Sequence, residues 1–112
     1  MQRHYDIVVA GGGPSGLQFA RTVAARSDYS VAVLEANDDL SENDTSTGGT
    51  FRQIVEGYDL PESVVMDTTD AVEFEGSGSW ACLPVEAYVL DFPAFLEFLG
   101  EDAEREGAEI HT

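Results

Sequence analysis

The chain has 112 residues, of which 43% are apolar and 24% charged, a globular composition that fits one ordinary domain and excludes a disordered or fibrous protein. Twenty-two Asp and Glu stand against five basic residues, all of them arginine, for a formal net charge of -17 at pH 7; such an excess repels nucleic-acid phosphates and anionic lipid headgroups and argues against both as partners. Cys82 is the single cysteine, which excludes an internal disulfide and points to a reducing, cytoplasmic setting.

Arg3 and His4 precede the apolar run Ile7 to Ala10, which is too short for a signal-peptide core or a membrane span. Residues Tyr5 to Ala10 read as a fully buried, central parallel strand bounded by glycine. A helix follows, with Gly13 at its cap, Pro14 in its first turn, and Leu17, Ala20, Val23 and Ala24 along one face, while Gln18, Arg21 and Arg26 point elsewhere. Ser27 and Asp28 close it, and Ser30 to Glu35 form a second buried strand. Strand, helix and strand in this order make a right-handed βαβ unit with parallel strands.

From Ala36 to Thr50 the chain reads "ANDDLSENDTSTGGT", a long polar loop without periodicity, of the kind that is functional or disordered. Short helices are expected over Phe51 to Glu56 and near Pro61 to Val65. Asp70 to Glu75, the linker "GSGS" and Trp80 to Leu83 read as a β-hairpin, with Pro84 ending the return strand or confining it to an edge. A strand over Ala87 to Leu90 comes next. The last helix begins near Asp91 to Pro93, buries Phe95, Leu96, Phe98, Leu99 and Ala103, exposes Glu97, Glu101, Glu104 and Arg105, and stops at Gly107. Ala108 to Thr112 then starts a further strand. The class is α/β: a Rossmann-like dinucleotide-binding βαβ with a parallel sheet and an inserted hairpin region. A parallel sheet this small cannot cover both its faces, so the expectation is the front portion of a larger FAD/NAD(P)-binding domain, or a chain completed by a partner.

The chemistry lies in Gly11-x-Gly13-x-x-Gly16, placed between the first strand and the first helix, with Glu35 at the end of the next strand. This is the general dinucleotide fingerprint. Gly11 permits the tight turn, Gly13 leaves backbone accessible to a pyrophosphate, and Gly16 lets helix and strand approach. The free amides at the helix start, with Pro14 and Ser15 in the first turn, face the phosphates with the helix dipole behind them. Glu35, with Ala36 beside it, accepts hydrogen bonds from both hydroxyls of the adenosine ribose. It would repel a 2′-phosphate by roughly 4 kcal/mol per unit charge at about 4 Å and an effective dielectric near 20, which favours FAD or NAD over NADP.

"DIVVAGGGPSGLQFARTVAARSDYSVAVLEA" resembles the amino-terminal FAD-binding motif of the glutathione-reductase-fold flavoproteins. The order of the later segments is most similar to their geranylgeranyl reductase branch: "TGGT" at Thr47 to Thr50, the acidic hairpin region, and "YVLDFPAFLEFLGEDAEREGAEI". The resemblance implies that residues 1–112 are the amino-terminal part of an FAD-binding domain in an oxidoreductase acting on a hydrophobic, isoprenoid-like substrate. It also implies that Gly48 and Gly49 line the flavin side of the cofactor, the alternative being an ordinary flexible turn. Thr47 and Phe92 stand where relatives often carry a Cys and an Arg, so the family's thiol chemistry is not expected.

Other residues have plainer readings. His4 and His111 are expected at the surface, no spacing resembles a metal site, Cys82 reads as a buried inert thiol, and no residue reads as a general acid or base. Ser15 lacks the Gly-x-Ser-x-Gly spacing of a hydrolase elbow. A lysine-free, acid-rich surface fits a salt-adapted microbe, since 1 M salt shortens the screening length to roughly 3 Å; a merely acidic mesophile is the alternative. Two functional alternatives stay open beside the flavoenzyme: a non-catalytic adenine-dinucleotide-binding module that needs a partner chain, and an NAD-linked dehydrogenase.

Overall fold

A computed structural model describes residues 4–112. In chain order the elements are β1 (Ile7–Ala10), α1 (Pro14–Arg26), β2 (Val31–Leu34), β3 (Gly49–Phe51), α2 (Arg52–Gly57), β4 (Val65–Thr69), β5 (Val72–Gly76), β6 (Ser79–Leu83), β7 (Ala87–Leu90), α3 (Phe92–Arg105) and β8 (Glu109–His111), with 3-10 turns at Leu40–Asn43 and Glu62–Val64. They form two compact units. One is built from the chain up to Thr45 together with Pro93–Thr112, the other from Ser46–Phe92.

The first unit holds a parallel sheet in the order β1-β2-β8, with Ile7 opposite Val31, Ala10 opposite Leu34, and Ala32 opposite Glu109. At the start of the β1–β2 pair, Asp6 and Ser30 exchange hydrogen bonds: Asp6 N–H donates to Ser30 Oγ, and Ser30 N–H to Asp6 Oδ2, both at 2.8 Å. That reciprocal clasp sets the register, because slipping by one residue would break both bonds and turn the buried side chains outward.

The sheet's centre is β2, whose Val31, Ala32 and Val33 are buried. Against expectation, β1 is an edge strand among the described residues: Ile7 and Val9 are half-buried, whereas Val8 is 55% exposed. The reason is topological. Helix α1 packs on β1 and β2 and covers one face only, so alternate β1 side chains lie open within this unit.

Leu17 and Ala20 of α1 and Leu96, Leu99 and Ala103 of α3 complete the core, each large side chain contributing about 1.5–3 kcal/mol. On α3, Phe95 and Phe98 are only half-buried, and Gly100 is buried in their stead. Arg21 differs from its expected outward placement: it is buried, its Nη1 3.1 Å from Asp102 Oδ2 on α3, its Nε donating to Gln18 Oε1 at 2.6 Å, and its guanidinium 5.6 Å from the Phe98 ring centroid. A charge of this kind goes inside only when paired. Asp102→Ala is therefore expected to destabilise the protein by about 1–2 kcal/mol, below the full cost of orphaning a buried charge because Asp102 is partly exposed. Urea unfolding at fixed salt checks it; an unchanged midpoint would show that Gln18 and Phe98 suffice for Arg21.

The second unit contains an antiparallel sheet in the order β3-β7-β4 and the hairpin β5-β6. Its buried apolar residues are Leu60, Val64 and Leu90. The hairpin is present as read, but its strands reach further into the linker: the register runs from Val72 opposite Leu83 to Gly76 opposite Ser79, which leaves only Ser77 and Gly78 in the turn, and β6 ends immediately before Pro84. Strands β3 and β4 were not legible: β3 is three residues long, and β4 carries polar Asp67, Thr68 and Thr69 and is interrupted by a bulge between Val65 and Asp67. Every residue of β6 is exposed. Cys82 is accordingly an exposed thiol, not a buried one, because the hairpin leaves both its faces open.

Candidate dinucleotide site

The site grows from the junction of β1 and α1 in the first unit. Gly11 has φ +104°, a conformation that L side chains rarely adopt, and its N–H continues the ladder by donating to Leu34 O at 2.8 Å. Gly12 is buried and donates its N–H to Glu35 Oε2 at 2.7 Å. Gly13 caps α1 in an extended conformation, and a Cβ built on it meets nothing within 4 Å. Gly16 is the opposite case: a Cβ there would land on the carbonyl oxygen of Gly11 and within 3.0 Å of Val9 Cγ1.

The start of α1 is electrostatically bare. No side chain caps it, no acid lies in its first turn, Pro14 brings no N–H, and Ser15 is exposed. First-turn amides without an acceptor, beside open space at Gly13, leave the positive end of the helix dipole to an outside anion.

Glu35 stands at the end of β2 and reaches back over this turn. Its Oε2 accepts from Gly12 N–H at 2.7 Å and from Asn43 Nδ2 at 2.9 Å, and its Oε1 accepts from Asn37 N–H at 3.2 Å. The Asn43 amide, then the main-chain N–H groups of Gly12 and Asn37, hold the carboxyl below the usual carboxylate range. At neutral pH it is an ionised, acceptor-only group. Because its folded value is lowered, its contribution to stability is complete above the ordinary glutamate range and is lost as pH falls through the lowered value.

The loop after β2 is ordered around one apolar residue. Asp39 Oδ1 accepts from Ser41 N–H at 2.9 Å and starts the 3-10 turn, which presents Leu40 and Asn43. The Leu40 side chain lies between two glycines. A Cβ on Gly12 would come within 2.5 Å of its Cδ2, and one on Gly100 of α3 would strike its Cδ1. Mid-helix Gly100, otherwise unfavourable by about 1 kcal/mol relative to Ala, thus makes room for the loop's anchor.

Of the residues read from the sequence, Gly11, Gly13, Pro14, Ser15, Gly16 and Glu35 converge on one turn, and Ala36 lies exposed just beyond Glu35. Gly48 and Gly49 belong to the second unit. There Gly48 is buried with φ +81°, accepts from Leu90 N–H at 2.8 Å and donates to Ser46 Oγ at 3.0 Å, and Gly49 opens β3 opposite Val89. Gly12, Asn37, Leu40 and Asn43 were missed. A lone leucine in an otherwise polar loop, next to an Asp-x-Ser turn signal, was the available clue to the last two.

The remaining candidates stay apart from this turn. His111 is not a plain surface histidine: it is half-buried, its Nε2 3.0 Å from the Tyr5 hydroxyl and 3.6 Å from Glu109 Oε2. Among the described residues no cluster of His, Cys, Asp and Glu could hold a metal ion.

A glycine turn joining parallel β1 to α1, with the acid of β2 hydrogen-bonded to that turn, defines a Rossmann-like dinucleotide-binding fold. Within that class the geranylgeranyl reductase resemblance read from the sequence is borne out: the chain is 38% identical over 112 residues to the digeranylgeranylglycerophospholipid reductase of Haloferax volcanii, an alignment covering 97% of this chain and 27% of that protein. No family model matches. Among solved structures, the geranylgeranyl bacteriochlorophyll reductase-like protein of Thermoplasma acidophilum superposes with a TM-score of 0.77 at 22% identity, covering 95% of this chain and 29% of that one. The myxobacterial chondrochloren halogenase CndH, a variant of FAD-dependent halogenases, superposes at 0.74 and 19% identity, covering 95% and 28%. The chain therefore spans little more than a quarter of the length of these relatives.

Proposed function

We propose that residues 1–112 are the amino-terminal, cofactor-binding part of an FAD-dependent oxidoreductase of the geranylgeranyl reductase-like kind. The observation that carries this reading is the Gly12 N–H to Glu35 bond at 2.7 Å, which sets a carboxylate beside an uncapped helix start. In this reading the amides of the first turn of α1 hold the pyrophosphate, Gly13 keeps the approach open, and Glu35 takes the adenosine ribose. The flavin supplies the hydride or electron transfer when bound. This chain's residues bind and orient it, and none is assigned as an acid or base. Gly48 and Gly49 would serve the flavin end.

The relatives' names support a hydrophobic, isoprenoid-type substrate. No described helix is long and apolar enough to cross a membrane, which fits the cytoplasmic placement suggested by the lone cysteine. The lysine-free, acid-rich composition fits a salt-rich cell. The open face of β1 around Val8 favours one second reading, a binding module completed by a partner chain.

Protein purified in molar salt, where its own negative charge is screened, is expected to be yellow or to bind added FAD at one per chain by fluorescence quenching. Gly13→Val should remove that binding while leaving the circular dichroism spectrum unchanged. Folded wild-type protein that binds neither FAD nor ADP would refute the cofactor reading. Aggregation relieved only by a co-expressed chain would favour the partner-dependent module.

A further inference from the structure

Asn43 has no role in the generic glycine-and-acid fingerprint, yet it touches both halves of it. Its Nδ2 donates to Glu35 Oε2 at 2.9 Å and lies 3.4 Å from Gly12 O, while its Oδ1 accepts from Asn37 Nδ2 at 2.9 Å. Its amide orientation follows from this network: an oxygen facing Glu35 would meet a carboxylate with no proton between them. Leu40, seated between Gly12 and Gly100, anchors the short turn that delivers it. The three polar groups thus lock one another: Asn37 orients Asn43, Asn43 orients Glu35, and Glu35 is tied to the Gly12 amide.

We propose that Asn43 is a specificity-determining positioning residue, which holds the Glu35 carboxylate over the glycine turn so that the site accepts an adenosine ribose with a free 2′-hydroxyl and rejects a 2′-phosphate. The proposal rests on the dinucleotide reading of that turn. Glu35 has several rotatable bonds, and its remaining ties are main-chain N–H groups: Gly12 of the turn, and Asn37 and Ala36 beside it in the chain. Without the Asn43 donor the carboxylate can swing toward solvent. Discrimination that depends on a charge a few ångströms from the 2′ position then weakens, because the Coulomb energy falls with both distance and solvent exposure. The same donor is the first cause of Glu35's lowered acidity range, so its loss also leaves the carboxylate easier to protonate.

The test compares binding of ADP and adenosine 2′,5′-bisphosphate to the 112-residue protein by calorimetry at constant salt. Wild-type protein is expected to prefer ADP, and Asn43→Ala to lower the ADP-to-bisphosphate affinity ratio about tenfold, the worth of one hydrogen bond to a charged group. A mere loss of folded population cancels in that ratio. Asn37→Ala, which keeps its main-chain N–H, should lower the ratio by about threefold and serves if Asn43→Ala does not fold. The acid limit of ADP binding should also move to higher pH in Asn43→Ala. Wild-type preference for ADP with an unchanged ratio in both variants would overturn the role of Asn43 alone. Absence of ADP binding by folded wild-type protein would overturn it together with the dinucleotide reading.

Discussion

Gly16→Ala is expected to destabilise the protein by about 3 kcal/mol, the upper part of the range for overpacking, and to lower its melting temperature by roughly 10 °C. The added methyl has nowhere to go. It would strike the Gly11 carbonyl oxygen, a backbone atom held by the turn whose N–H is bonded to Leu34, and it would crowd Val9. Relief requires α1 to move away from β1, which also withdraws the first-turn amides from the place where Glu35 and Gly12 meet. Loss of FAD or ADP affinity should therefore accompany loss of stability. The contrast with Gly13 makes the test sharp, since a Cβ built there finds no neighbour within 4 Å and a substitution should act chiefly on ligand binding. Thermal unfolding of the two variants in parallel measures it. Equal stabilities would mean that the helix start is not packed as tightly as its geometry requires.

Gly48→Ala is expected to cost a comparable amount, about 3 kcal/mol, by two additive routes. Its φ of +81° penalises any L side chain by about 1–2 kcal/mol, and the new Cβ would fall on the Leu90 carbonyl, with Leu90 N and C both 3.1 Å away. Leu90 cannot retreat easily: it is buried, and its N–H is bonded to the same Gly48 carbonyl. Hydrogen exchange should show the amides of β3 and β7 losing protection first, because Gly49 and Val89 are the adjoining pair. Retained protection throughout β3 and β7 would refute this. A positive result would establish that Gly48 is needed to hold the second unit's sheet together.

The site's frame was legible in the sequence because its signals are local. The strand-to-helix turn needs glycines at fixed offsets, and Glu35 follows from the length of one helix and one strand. The position of β1 at an edge was not legible, since a continuous apolar run reads as a buried strand whichever neighbours it has. Arg21 was assigned outward for a similar reason: helical periodicity places it on α1, but Asp102 and Phe98, which draw it inside, lie far along the chain. Leu40 and Asn43 were hidden in a stretch without period, where side-chain hydrogen bonds to a turn and one apolar anchor substitute for regular structure. Cys82 shows the converse error. Its place between Trp80 and Leu83 on a strand suggested burial, but β5 and β6 pair with each other and are open on both sides.

The pairing of β2 with β8 has a consequence for how the chain acquires its shape. Ala32 must find Glu109, so everything between β2 and β8 has to be made before β2 gains β8 as its neighbour. Closing so long a loop carries an entropic penalty that no local contact repays, a recipe for slow folding. Throughout that delay on the ribosome, Val31, Ala32 and Val33 offer a bare, hydrophobic template to any passing strand. Helix α1, made just before β2 and packed on it, covers one face of that template in the interval and leaves its free edge to β8.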